Sequence, residues 1–190
     1  MLYRKILAIH LCTGLFCLAF LAMYGTSAVQ LAHRSWFGMR DEVTETHLAL
    51  TPGLAGARPA ARELMDHHSI EGELTTVFAT AATINFRIVR PGMLYQVRYS
   101  TAGGETLVVT RRSGIGRMLN ALHTTGGLWH EYTPWNVWAG VLGLVSLALL
   151  TLGATGLYLW LRNPRERWVG IVLLAGGAGM ALMLIVSMRM

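Results

Sequence analysis

Three long segments without charged side chains place the strongest constraint on what this chain can fold into. Residues 6–28 contain one histidine but no acidic or basic residue, and residues 135–161 and 169–188 contain no charged residue over 27 and 20 positions. About 20 apolar residues in a helix span the hydrocarbon core of a bilayer, which is ~30 Å thick. The sequence therefore predicts three transmembrane helices, in keeping with a composition that is 53% hydrophobic and only 14% charged.

The spacing of these segments predicts the domain organisation. The first apolar segment exceeds the 7–15 residues typical of a signal peptide, so we expect a retained anchor. The predicted parts are an N-terminal transmembrane helix (1–32), an α+β module (33–121), an amphipathic approach with the second transmembrane helix (122–161), a loop (162–167) and a third transmembrane helix (168–190).

The module between the first two helices shows patterns of both helix and strand. Helix-forming residues follow Pro59, and the stretches "TINFRIVR", "MLYQVRYS" and "TLVVTRR" alternate or cluster apolar side chains as strands do. We expect one short helix covering the apolar face of three or four antiparallel strands. The predicted fold class is a membrane protein with three transmembrane α-helices and a small α+β module inserted between the first two.

The basic residues predict an orientation. Arg4 and Lys5 precede the first helix, and the short loop "RNPRER" separates the second and third. Because basic residues concentrate in short cytoplasmic segments, we expect the N-terminus and this loop inside the cell, and the module and the C-terminus outside. The net charge of +6 does not indicate nucleic-acid binding, because the basic residues are scattered, with no run longer than Arg111–Arg112.

Three stretches of the chain resemble the PepSY-associated transmembrane family. They are "RKILAIHLCTG" at the first helix, "LNALHTTGGLWH" before the second and "TGLYLWLRNPR" at its end. The resemblance covers the whole chain in order, and it implies a bacterial inner-membrane protein with a periplasmic PepSY-like module. Larger members look like ferric-siderophore reductases that carry b-type haem. This chain has fewer helices and no flavin or nicotinamide motif, so the resemblance favours a subunit over a self-contained reductase.

The histidines are the candidate ligands of haem b. His33 follows the first helix, whereas His123 and His130 precede the second. Seven residues span ~10 Å of helix, so His123 and His130 cannot ligate opposite faces of one iron. We expect His33 to pair with one of them, preferably His130, with Trp129 in the apolar wall and Glu131 as a hydrogen-bond partner. The alternative is a set of interfacial histidines without a ligand.

His10 lies inside the first helix, one turn past the basic pair. It is a candidate haem ligand near the inner face, where the second ligand would have to come from another subunit. Because no CxxCH motif occurs, haem would be bound non-covalently.

Two functions fit these patterns. The first is a b-type haem electron-transfer subunit that works with other membrane or periplasmic redox proteins, with ferric iron reduction as one outcome. The second is a non-catalytic accessory or assembly subunit whose module binds a partner. Gly140, Gly143, Gly153 and Gly156 of the second helix favour close packing within the chain or against another subunit, so an oligomer is an open alternative. The sequence leaves open whether the protein is an enzyme.

Overall fold

The computed structural model describes residues 1–38 and 40–189, without the side chain of Glu166. In chain order the elements are α1 (Leu2–Ala32), β1 (Asp41–Ala49), α2 (Ala57–His67), β2 (Glu73–Ala79), β3 (Thr83–Arg90), β4 (Met93–Ser100), β5 (Glu105–Ser113), α3 (Ile115–Thr124), α4 (Thr133–Leu161) and α5 (Arg167–Ser187). They form two compact units, Met1–Phe20 with Gly143–Met190, and Leu21–Leu142.

Three helices within the described residues are long and apolar enough to cross a membrane, namely α1, α4 and α5. Their number agrees with the three predicted membrane helices. Helix α4 begins at Thr133, with Pro134 in the first turn, where the missing N–H is not needed. It ends at Leu161, two residues before the Asn163–Pro164 pair, which disfavours further helix.

The described part of the second unit contains one antiparallel sheet of five strands in the order β1-β5-β4-β3-β2. The three stretches with recognisable strand patterns form its centre, and two further strands form its edges. Strand β1 pairs with β5 over nine residues, but its side chains are mostly polar and largely exposed, so it lacks an alternating pattern. Strand β2 has an irregularity between Thr75 and Val77, where Thr76 adopts a φ of +44° and interrupts the alternation.

Helix α2 covers one face of this sheet, as predicted. It begins at Ala57, two residues before the expected Pro59, and buries Ala60, Ala61 and Leu64. The opposing strands contribute Ile84, Phe86, Ile88, Tyr95, Val97, Tyr99 and Val108 to the same core. The buried Tyr99 hydroxyl donates to the Thr51 carbonyl (2.8 Å) and accepts from the Leu54 N–H (3.0 Å), which satisfies its polar group.

In the first unit, small residues let α1 and α4 approach closely. A Cβ at Gly14 would lie 3.4 Å from Leu152, and a Cβ at Gly156 would lie 3.1 Å from the His10 ring. A Cβ added at Gly140, Gly143 or Gly153 would instead lie more than 4 Å from any neighbouring described atom. Of the four glycines expected at a close interface, Gly156 alone packs tightly against the described residues.

We predict that Gly104→Ala destabilises the module and that Gly103→Ala does not. Gly104 has a φ of +71°, and an added Cβ would overlap the Leu50 carbonyl oxygen, whereas Gly103 has room for a methyl group. The strained backbone alone costs roughly 1–3 kcal/mol. Thermal unfolding of the detergent-solubilised protein, followed by circular dichroism, measures the difference. Equal unfolding temperatures for the two variants would contradict the left-handed backbone of Gly104 and its close approach to Leu50.

Candidate functional site

His123, near the C-terminal end of α3, is held against α1 by a buried hydroxyl. Its Nδ1 lies 2.5 Å from the Oγ of Ser27, a residue with 0% exposure. The same Oγ donates to the Tyr24 carbonyl at 3.1 Å, and the Tyr24 ring meets the imidazole edge-on with centroids 4.7 Å apart. Ser27 has one hydroxyl proton, so the direction of its bond to His123 depends on the histidine tautomer. When Ser27 donates to the Tyr24 carbonyl, Nδ1–H of His123 donates to Ser27, and Nε2 is the ring nitrogen left for a ligand.

His130 lies in an irregular segment between α3 and α4, so it does not share a continuous helix with His123. Its Nδ1 donates to the Glu73 carboxylate of β2 at 2.7 Å, and both side chains are about one-fifth exposed (23% and 22%). A carboxylate is only an acceptor, so Nδ1 again carries a proton and Nε2 is available for a ligand. Trp135, which is buried, lies beside this ring with centroids 6.1 Å apart.

Asn136, in the first turn of α4, fixes the backbone of His130. Its Oδ1 accepts from the His130 N–H at 2.9 Å, and its Nδ2 donates to the His130 carbonyl at 2.8 Å. Of the two alternatives for Glu131, support of the histidine or a side chain in water, the structure shows the second. Glu131 forms a solvent-exposed ion pair with Arg58 at 3.0 Å, and Glu73 supports the histidine instead.

His33 has different surroundings. Its exposed ring stacks on Trp36 with centroids 3.9 Å apart and an interplanar angle of 7°. Within the described residues, no hydrogen bond or ring contact joins any two of His33, His123 and His130. The pairing of His33 with a second histidine therefore stays a prediction. Trp129 is 94% exposed.

His10, in the first unit, repeats the arrangement of His123. Its Nδ1 lies 3.0 Å from the Thr155 Oγ1 of α4. That hydroxyl also lies 2.7 Å from the Thr151 carbonyl. When it donates there, Nδ1 of His10 donates to Thr155, and Nε2 is the ring nitrogen left for a ligand.

His10, His123 and His130 share an imidazole that is oriented by a hydrogen bond at Nδ1. Histidines that ligate metals donate their second ring N–H to a carboxylate, carbonyl or other acceptor, which fixes the tautomer. The three partners are Thr155, Ser27 and Glu73. Each imidazole offers one ligand nitrogen, and the described residues contain no group of three or more His, Cys, Asp or Glu able to hold a metal ion.

Comparison with family models, curated proteins and solved structures finds no match to this chain.

We predict that Asn136→Ala loosens the segment around His130 and that Asn85→Ala does not. The first variant removes two hydrogen bonds to the His130 backbone, whereas no hydrogen bond is formed by the Asn85 side chain among the described residues. The loss of two hydrogen bonds should raise the equilibrium population of the locally opened segment about tenfold or more. Hydrogen–deuterium exchange of a peptide covering residues 125–132 measures it. Unchanged exchange in Asn136→Ala would show that the two hydrogen bonds of Asn136 do not order the segment.

Proposed function

We propose that this protein is a bacterial inner-membrane electron-transfer subunit that holds b-type haem and acts with other membrane or periplasmic redox proteins. Ferric iron is the proposed class of acceptor. The proposal joins the resemblance to the PepSY-associated transmembrane family to the chemistry of the oriented histidines. Haem iron, when bound, alternates between ferric and ferrous states and so carries one electron at a time.

The observation that carries the proposal is the buried hydrogen bond from His123 to Ser27. A polar group inside an apolar helix is costly unless it has a partner, and such groups are usually functional. Ser27 has 0% exposure, and its hydroxyl is hydrogen-bonded to the Nδ1 of His123. This contact orients the ring, and Nε2 of His123 would be the atom that ligates haem iron.

The second axial ligand has two candidate sources. Within the chain, His33 follows one membrane helix and His130 precedes another, and the Glu73 carboxylate orients the His130 ring. Alternatively, another subunit supplies it, which also applies to His10. In either case, the residues of this chain orient the imidazoles, and Trp135 supplies an apolar wall beside His130.

A second function, an accessory subunit that binds a partner protein through its module, is favoured by Trp129. This side chain is 94% exposed, and its backbone adopts a φ of +78°, an unusual conformation for a bulky residue. The backbone of its neighbour His130 is hydrogen-bonded to Asn136. In addition, none of the residues 167–187 of α5 is buried, so this helix has an unfilled surface for another membrane helix.

Absorption spectra of the purified protein, expressed with ample haem, test the ligands. We expect low-spin bands in the wild type, loss of haem by at least about tenfold in His123→Ala, and no change in His47→Ala, which removes an exposed histidine of β1. Loss in His33→Ala or His130→Ala identifies the second ligand, whereas retention in both assigns it to another subunit. A colourless wild type would contradict the proposal and favour the accessory role.

The supporting hydroxyl has its own test. Ser27→Ala should weaken haem retention about 10- to 100-fold, as is typical when the partner of a ligating histidine is removed. Thr26→Ala is the matched control, because its exposed hydroxyl donates to the Ala22 carbonyl and not to His123. Haem titration of the apoprotein measures both. Equal affinities for the two variants would remove Ser27 from the site.

The orientation is proposed from the basic clusters, with the N-terminus and the loop between α4 and α5 in the cytoplasm and the module in the periplasm. In a variant lacking Cys12 and Cys17, we expect Ala102→Cys to react with an impermeant maleimide in intact spheroplasts. Ala102 lies in an exposed turn of the module. Arg165→Cys should react only after lysis. The reverse pattern would invert the topology.

A further inference from the structure

A groove of about 780 Å³ lies between the first turns of α1 and the last turn of α4. Both parts belong to the same compact unit. Leu2, Leu7 and Leu159 form its apolar walls, Tyr158 and Trp160 add aromatic surface, and Arg162 supplies a cation. None of the described residues that line it is acidic. The groove therefore combines apolar walls with one basic side chain, that of Arg162, and the amino group of Met1.

The Arg162 guanidinium has no hydrogen-bond acceptor among the described side chains. Its carbon lies 5.6 Å from the centroid of the Tyr158 ring, a cation–π distance that holds the group beside the groove. No ion pair or side-chain hydrogen bond joins it to a described residue. The exposed Arg4 and Lys5 of α1 add positive charge to this end of the unit. A guanidinium fork matches the oxygens of a phosphate in a bidentate manner.

The wall formed by Trp160 is fixed by α5. A Cβ on Gly170 would overlap the indole of Trp160, so this ring lies directly against the α5 backbone. Tryptophan and tyrosine are enriched where a membrane helix leaves the hydrocarbon region. The groove is therefore a preformed recess at the level where acyl chains give way to headgroups.

We infer that this groove binds an anionic phospholipid, with its phosphate on Arg162 and an acyl chain along Leu7 and Leu159. Basic pockets between transmembrane helices bind acidic headgroups in this way. A soluble phosphate would make no use of the apolar walls, and a zwitterionic lipid would bring its own ammonium group next to Arg162. The inference is independent of the haem proposal, because it uses none of the candidate ligands.

The test uses the full-length protein in mild detergent, with native mass spectrometry to count bound lipid during titration with phosphatidylglycerol or phosphatidylcholine. We expect the wild type to prefer phosphatidylglycerol, and Arg162→Gln to reduce that preference about fivefold, the effect of one basic residue near an anionic surface. Arg162→Lys should keep most of it, because the charge remains. Arg165→Gln, which removes an exposed arginine that does not line the groove, is the matched control.

Glycerol phosphate, the soluble headgroup, is titrated in parallel to separate a lipid from a free anion. The inference would be overturned if the wild type bound both lipids equally, or if Arg162→Gln kept the same preference for phosphatidylglycerol. It would also be overturned if glycerol phosphate displaced the lipid with an affinity equal to that of phosphatidylglycerol. Circular dichroism of each variant shows that it is folded. Haem spectra of the same samples are expected to be unaffected, so the outcome is distinguishable from that of the haem experiments.

Discussion

The hydrocarbon region of the membrane is the constraint on which the rest of this structure depends. Because lipid tails offer no hydrogen bonds, a spanning segment must satisfy its backbone internally, and α1, α4 and α5 do so as continuous helices. Side chains obey the same rule. The hydroxyls of Ser27 and Thr155 each lie within hydrogen-bond distance of a carbonyl of their own helix and of a histidine Nδ1. The polar contacts of the candidate ligands thus follow from the medium.

Sequence patterns predict those parts of the fold where burial produces a periodic signal. The membrane helices are visible as uncharged segments, and β3 and β4 are visible because Ile84, Phe86, Tyr95 and Val97 alternate with side chains on the open face. The edge strands could not be found in this way. Strand β1 is exposed along nearly all its length, and its pairing with β5 depends on backbone hydrogen bonds that leave no mark on composition.

The candidate site was predictable to the same limited extent. A histidine near a membrane boundary is conspicuous, and a hydroxyl such as Ser27 inside an apolar segment is also a usable signal. The sequence contains no signal for Glu73, because it is one of several carboxylates in the module and lies 57 positions from His130. Glu131 was the nearer choice in sequence, but it follows His130 directly and pairs with Arg58 in solvent. Proximity along the chain is a poor guide in an irregular segment.

In the second unit, His130 and the helix that carries His123 each contact an edge strand of the sheet directly. Glu73 belongs to β2, so His130 is one hydrogen bond away from an edge strand. His123 belongs to α3, which is joined to β1 by the Arg117–Asp41 ion pair at 3.0 Å. The Trp138 indole of α4 donates to the Leu122 carbonyl beside it at 3.2 Å. A partner that displaced β2 would therefore move Glu73, which orients His130. A partner that displaced β1 would move α3, which carries His123. Under this arrangement, the electron-transfer and partner-binding roles are compatible, since contact at the module would act on the orientation of the ligand nitrogens.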